Sequence, residues 1–287
     1  MLYVNIYLTN HASSLLGPKL SNKESSGAPK GLRNTLNQSK IYMIDNSKEN
    51  ATKSWNDLVK EIESMYKKYE GFVVIADKDV IPHTATALSF MLENLSKPVI
   101  VTDSTLSKEQ MKTKIPEVMV VSGGKLLRGT RTMQGVPRSV PQGVPQGVED
   151  LTFFSPNFPV ITKKNCFPKP SQAMSVKYIN PNIHVNIIDM NEKEIPLNGL
   201  GGLIVQNIHG KKPSKEFLNV LQSLTKRGVV ILTMSDYPNL KEAGVISAGD
   251  MTPAAAYVKL LFLLSHVKDQ KIFSQLMTQS FRGEMTI

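Results

Sequence analysis

Short β-branched runs alternate along the chain with longer stretches whose apolar residues recur every three or four positions, and polar turns separate the two. The short runs predict strands at residues 3–8, 41–44, 71–76, 98–102, 117–122, 185–188, 202–206 and 229–233. The longer stretches predict helices at 51–68, 85–95, 214–227 and 252–264, the last strongly apolar and suited to packing on a sheet. This succession is the pattern of an α/β protein with a largely parallel sheet.

Three segments interrupt it. Residues 19–40, rich in Ser, Asn, Gly and Lys, predict a mobile loop after the first strand. Residues 135–148 form a degenerate Gly-Val-Pro-Gln repeat whose prolines block regular helix and central strand, so they read as an inserted loop. The Pro- and Lys-rich stretch 156–171 predicts an interdomain connection, giving an N-terminal domain over 1–165 and a smaller C-terminal one over 175–287.

Composition narrows the class. At 287 residues, 41% hydrophobic and 20% charged, the chain has material for one large or two medium globular domains, which excludes disorder and collagen-like structure. Lys and Arg outnumber Asp and Glu by 34 to 24, a net +10 that would draw the chain toward polyanions or acidic partners. The lone Cys166 cannot form an internal disulfide or a multi-thiolate metal site, so a reducing, cytoplasmic setting is expected. The apolar stretch 258–267 falls short of the roughly 20 residues that span a bilayer, and residues 1–9 read as a strand rather than a signal peptide, with the mature chain starting at Met1.

The residues from Gly71-Phe-Val-Val-Ile-Ala76 through Thr84-Ala-Thr-Ala-Leu-Ser-Phe-Met-Leu-Glu-Asn-Leu-Ser-Lys-Pro-Val-Ile-Val-Thr102 resemble the L-asparaginase family, most closely its cytosolic type I and animal branch. Leu126-Leu-Arg-Gly-Thr-Arg131, Ser155-Pro-Asn-Phe-Pro159, Ala243-Gly-Val-Ile-Ser-Ala-Gly-Asp-Met-Thr-Pro253 and Arg282-Gly-Glu-Met-Thr286 follow in family order. The resemblance implies a larger N-terminal α/β domain with the site at its strand ends, a smaller C-terminal α/β domain, and a homodimer or homotetramer. It also implies amide hydrolysis through an acyl-enzyme: one threonine attacks, and a Thr-Lys-Asp group handles protons and charge, since a hydroxyl needs a neighbouring base to become a nucleophile. No cofactor is implied.

Most of that chemistry is missing here. The Thr-Gly-Gly-Thr turn after the first strand reads Thr9-Asn-His-Ala12, so Ala12, which has no nucleophile, stands at the attacking position; Ser13 or Ser14 could replace it only if the register slips. The family's His-Gly-Thr-Asp-Thr-Met reads Ala76-Asp-Lys-Asp-Val-Ile81, placing Lys78 at the second threonine and keeping Asp79, which the family uses to bind the substrate amine. An aspartate before a helix also suits the helix's positive end. Asn46 takes the place of the carboxylate-binding serine, with Ser47 beside it as a candidate substrate contact, and Gln134, which cannot relay protons, takes that of the triad lysine. Lys78 could supply a migrated ammonium, but it has no threonine to activate. In the second domain the Gly-x-Gly-Asn loop is replaced by His209-Gly-Lys-Lys212, and segments after Leu106 and around 234–241 are short relative to the family, which weakens the inherited assembly. One of five site positions survives, so the resemblance leads to a pseudoenzyme with a structural, interaction or regulatory role; a weak amidohydrolase and a polyanion-binding module are the rivals.

Other patterns add little. His11, His83, His184, His209 and His266 lack metal-ligand spacing, and the glycine clusters 122–124 and 199–202 are turns rather than phosphate loops. The basic residues are dispersed, without an aromatic-lined groove, which disfavours nucleic acid. Met91 and Met251 read as core filling.

Overall fold

The segment Phe72-Val-Val-Ile75 is apolar on both faces, which a strand tolerates only with cover on both sides, as in a parallel α/β sheet. The computed structural model describes residues 3–9, 41–45, 51–103, 106, 113–122, 125–134, 153–154, 161, 164, 166–190, 192, 195, 199–207, 212–235 and 237–286. The chain divides into two α/β units, Met1–Lys177 and Tyr178–Ile287.

In unit 1 the order is β1 (Tyr3–Thr9), β2 (Ile41–Asp45), α1 (Ala51–Met65), β3 (Gly71–Ala76), α2 (Ile81–Met91), β4 (Leu92–Glu93), β5 (Val99–Thr102), β6 (Val118–Ser122), β7 (Lys125–Arg128), β8 (Met133–Gln134), β9 (Phe153–Phe154) and β10 (Ser175–Val176). Six strands form one sheet in the order β2-β1-β3-β5-β6-β7, parallel except for the β6–β7 hairpin. Trp55, Leu58, Val59, Ile62 and Met65 make the buried stripe of α1. The helix stops at Met65, three residues short of the predicted end, as the Lys68 N–H closes a turn onto the Met65 carbonyl and the Lys97 ammonium takes the carbonyls of Tyr66 and Tyr69.

Helix α2 is buried along its length except at His83. It starts at Ile81, ahead of the predicted residue 85, because Pro82 falls in the first turn, where a missing N–H costs nothing. It ends at Met91, since Leu92 and Glu93 pair with Val176 and Ser175 instead. The described part of the expected interdomain stretch belongs to unit 1: Ile161 is in its core and bonds Leu126, and Phe167 N–H donates to Glu117 Oε1 at 2.5 Å.

Unit 2 runs β11 (His184–Asp189), β12 (Leu200–Gln206), α3 (Lys215–Lys226), β13 (Val230–Thr233), α4 (Pro238–Glu242), β14 (Ile246–Ser247), α5 (Pro253–His266) and α6 (Gln270–Met277). Its four strands are all parallel, in the order β11-β12-β13-β14. Ser214 caps α3 by accepting from the Phe217 N–H at 3.1 Å, and Phe217, Leu221 and Leu224 join Leu203, Val205 and Ile231 in one core. Thr252 caps α5 in the same way, and Leu260 and Leu264 of α5 lie against Gly202 of β12, so the apolar helix packs on this sheet as its pattern predicts. Met91 and Met251 are buried in core positions.

Candidate functional site

From β1 the chain passes to β2 on one side and then, through α1, to β3 on the other. Such a reversal leaves a crevice outside the carboxyl ends of the two strands it separates, the usual ligand site of an open parallel sheet. The register sets Leu8 beside Ala76, Thr9 beside Asp45 and Ile75 beside Thr102, so these strands finish nearly level. The turn that follows Ala76 and the Asp103 that follows Thr102 are therefore gathered at this sheet end.

After Ala76 the chain makes a single 3₁₀ turn over Lys78–Val80 and enters α2. Asp77, Lys78 and Asp79 are exposed on it. Two acids ahead of a helix complement its positive end, whereas the Lys78 ammonium opposes it. That mismatch is offset by Asp103, the first residue beyond β5: Lys78 Nζ lies 3.6 Å from Asp103 Oδ2, with side chains 51% and 23% exposed. Asp103 was missed as a partner because its role depends on β3 and β5 being neighbours. Once that pairing is known, the Ile75–Thr102 register leads to it.

Behind the turn the packing is tight. Burial pushes the His83 imidazole below its ordinary range, and the neighbouring Thr84 hydroxyl accepts from Trp55 Nε1 at 3.4 Å. The Leu126–Arg131 motif serves this packing. Gly129 sits where an added Cβ would lie 3.1 Å from the carbonyl oxygens of both Ala85 and Val118, so α2 and β6 approach as closely as they do because residue 129 has no side chain. Thr130, Arg131 and Thr132 are buried beside it. Arg128 forms a two-pronged pair with the buried Glu117, at 2.8 and 3.2 Å, and stacks over the Phe167 ring.

Of the residues singled out from sequence, the structure places Lys78 and Asp79 on one exposed turn and Gln134 in the β8–β9 ribbon, its backbone opposite Phe153. Ala12, Ser13, Ser14, Asn46 and Ser47 lie outside the described residues, as do His11, His209, Lys211 and the 135–148 repeat. Lys164, Lys212, Lys226 and Arg227 are exposed. Among the described residues no group of His, Cys, Asp and Glu could hold a metal, and no helix is long and apolar enough to cross a membrane.

The family model described as asparaginase, N-terminal, matches residues 9–114, which include β3, the 3₁₀ turn and α2. L-asparaginase 1 of Escherichia coli K12 is 29% identical over 288 residues, covering 84% of this chain and 82% of that protein. The 60 kDa lysophospholipase of Mus musculus is 26% identical over 284 residues, covering 81% of this chain and 48% of that protein. The crystal structure of L-asparaginase I from Vibrio cholerae matches with a TM-score of 0.73 at 27% identity, covering 100% of this chain and 99% of the other. With relatives of this kind along most of its length and the same fold in a solved asparaginase, the chain is similar to the asparaginase family in sequence and in structure.

Proposed function

We propose that this chain lacks efficient L-asparagine amide hydrolysis and serves a structural, interaction or regulatory role. The observation that carries the reading is Lys78: it stands where the resemblance places a threonine hydroxyl, and its ammonium pairs with Asp103 across the strand ends. A protonated amine neither attacks a carbonyl nor accepts a proton from a nucleophile. Ala12 and Gln134, at the nucleophile and relay positions, remove the other two parts of the same unit, and members of such a unit do not compensate one another. Assembly as a homodimer or homotetramer and a cytoplasmic location accompany this reading as expectations from kinship and from the single cysteine.

A weak amidohydrolase working through Ser13, Ser14 or Lys78 is the second reading, favoured by the retained Asp79 and by the name of the 29%-identical relative. Ammonia release from L-asparagine and L-glutamine by the purified chain decides between them. The expected result is turnover at background, unchanged by Asp79→Asn. Turnover within about tenfold of an intact family enzyme, abolished by that substitution, would establish the second reading instead.

A further inference from the structure

Among the described residues of unit 2, Lys259 and Glu284 are the charged side chains that are fully buried. Lys259 projects from the middle of α5, and each of its partners comes from residues 279–286. Its Nζ donates to Glu284 Oε1 at 2.7 Å and to the Gln279 carbonyl, approaches Met285 Sδ at 3.8 Å and lies 4.7 Å from the centre of the Phe281 ring. Burial pulls the ammonium below its ordinary range and Glu284 pulls it back.

The Glu284 carboxylate is satisfied just as locally, accepting from the N–H groups of Phe281 at 3.0 Å and Arg282 at 2.7 Å and from the Ser280 hydroxyl at 3.4 Å. A second fastening lies two residues before the Thr252 cap: the Thr286 N–H donates to Asp250 Oδ1 at 2.8 Å and its hydroxyl to Oδ2. Gly249, at φ +58°, turns the backbone there with the Met285 methyl 3.1 Å from where a Cβ would stand. From Ser280 to Thr286 the other side chains are only half-buried or exposed, so Glu284 is the one residue of this stretch sunk in the core. The segment is therefore held by polar bonds focused on one carboxylate, with little apolar burial behind them.

We infer that residues 279–286 form a latch on α5, closed by the Lys259–Glu284 pair and able to open while the sheet beneath stays folded. Opening frees Glu284, uncovers Lys259 and releases Thr286 from the turn that leads into α5, so the state of one ion pair sets whether this face of unit 2 is covered.

Amide hydrogen exchange on the full chain tests it. In Glu284→Ala the amides of residues 280–286 should exchange at least about tenfold faster, while those of β12 and β13 stay within about twofold; Lys259→Met should give the same pattern. Unchanged exchange in the segment, or equal acceleration of segment and sheet, would overturn the latch. Should Glu284→Ala fail to fold, Glu284→Gln keeps an acceptor without the charge and should accelerate the segment alone by at least about threefold. Failure of that variant to fold as well would show that opening is inseparable from global unfolding and would also overturn it.

Discussion

The Lys78–Asp103 pair at the strand ends of unit 1 and the Lys259–Glu284 pair inside unit 2 are built from the same kinds of group in opposite surroundings. The first spans 3.6 Å with its side chains 51% and 23% exposed; the second spans 2.7 Å with both at 0%. Water screens the first, and an exposed pair of this kind contributes no more than about 1 kcal/mol. Inside unit 2 each ion has lost its hydration, so the pair need not be more stabilising than an apolar replacement, but removing one partner strands a bare charge. A turn whose charges are weakly coupled can exchange a hydroxyl for an ammonium without endangering the fold. An interior pair has no such freedom. On the proposed reading, the reacting groups at the sheet end could therefore be exchanged while the fold persists around them.

The largest expected effect breaks the buried pair. Lys259→Ala should destabilise the closed form of residues 279–286 by about 3–5 kcal/mol while the sheet of unit 2 stays folded, because the closed segment would bury the Glu284 carboxylate against backbone N–H groups and the Ser280 hydroxyl without its ammonium. Amide hydrogen exchange of residues 280–286 relative to β12 and β13 measures the loss. A change below about 1 kcal/mol would place the two pairs in one class and remove the contrast.

How far this contrast was legible from sequence depends on which forces set each residue's surroundings. Apolar periodicity is local, so α1, α3 and α5 and the strands β1, β2, β3, β5, β6, β11, β12 and β13 follow directly from it. The short elements β4, β7, β8, β10, β14 and α4 depend on the partners they pair or pack with and leave no periodic signal. The helix α2 starts four residues ahead of the predicted position because Pro82 falls in its first turn, where it favours the helix. At the site, motif alignment reached Lys78 and Asp79, whereas Asp103 and the Glu117–Arg128 pair depend on which strands are neighbours. Lys259 looked like one charge in an apolar helix, and its partner lies 25 positions on.

His83 sharpens the comparison with an intermediate effect, since it is a partly buried ionisable group just behind the exposed turn. Its folded pKa lies below the ordinary 6.5 through desolvation, so the unfolded chain takes up a proton first as pH falls. The neutral imidazole accordingly stabilises unit 1 fully above about pH 6.5, and that stability is lost as pH drops through 6.5 toward the folded value. His83→Gln should flatten this part of the acid profile. Trp55, the single tryptophan, donates to Thr84 next to His83, so its fluorescence during denaturant unfolding at pH 5 and pH 7.5 is a local readout. An identical pH dependence in the variant would mean that His83 is as well solvated as the turn.

The smallest effect belongs to the strand-end pair. A double-mutant cycle with Lys78→Ala, Asp103→Ala and both together should give a coupling of no more than about 1 kcal/mol, shrinking further between 0.05 and about 0.5 M salt as the screening length contracts. A coupling of 3 kcal/mol or so, insensitive to salt, would mean that the pair is shielded in solution and closes the sheet end as a structural bolt. Weak coupling has a functional corollary. If Lys78 is not needed for the fold, Lys78→Thr should be tolerated and should restore the hydroxyl that the family resemblance places there, yet ammonia release should stay at background because residue 12 still offers only a methyl group. The decisive comparison is therefore Lys78→Thr alone against Lys78→Thr combined with Ala12→Thr: activity appearing in the single variant would locate the missing nucleophile outside residue 12, whereas activity confined to the double variant would show a fold still shaped for the reaction whose reacting groups have been replaced.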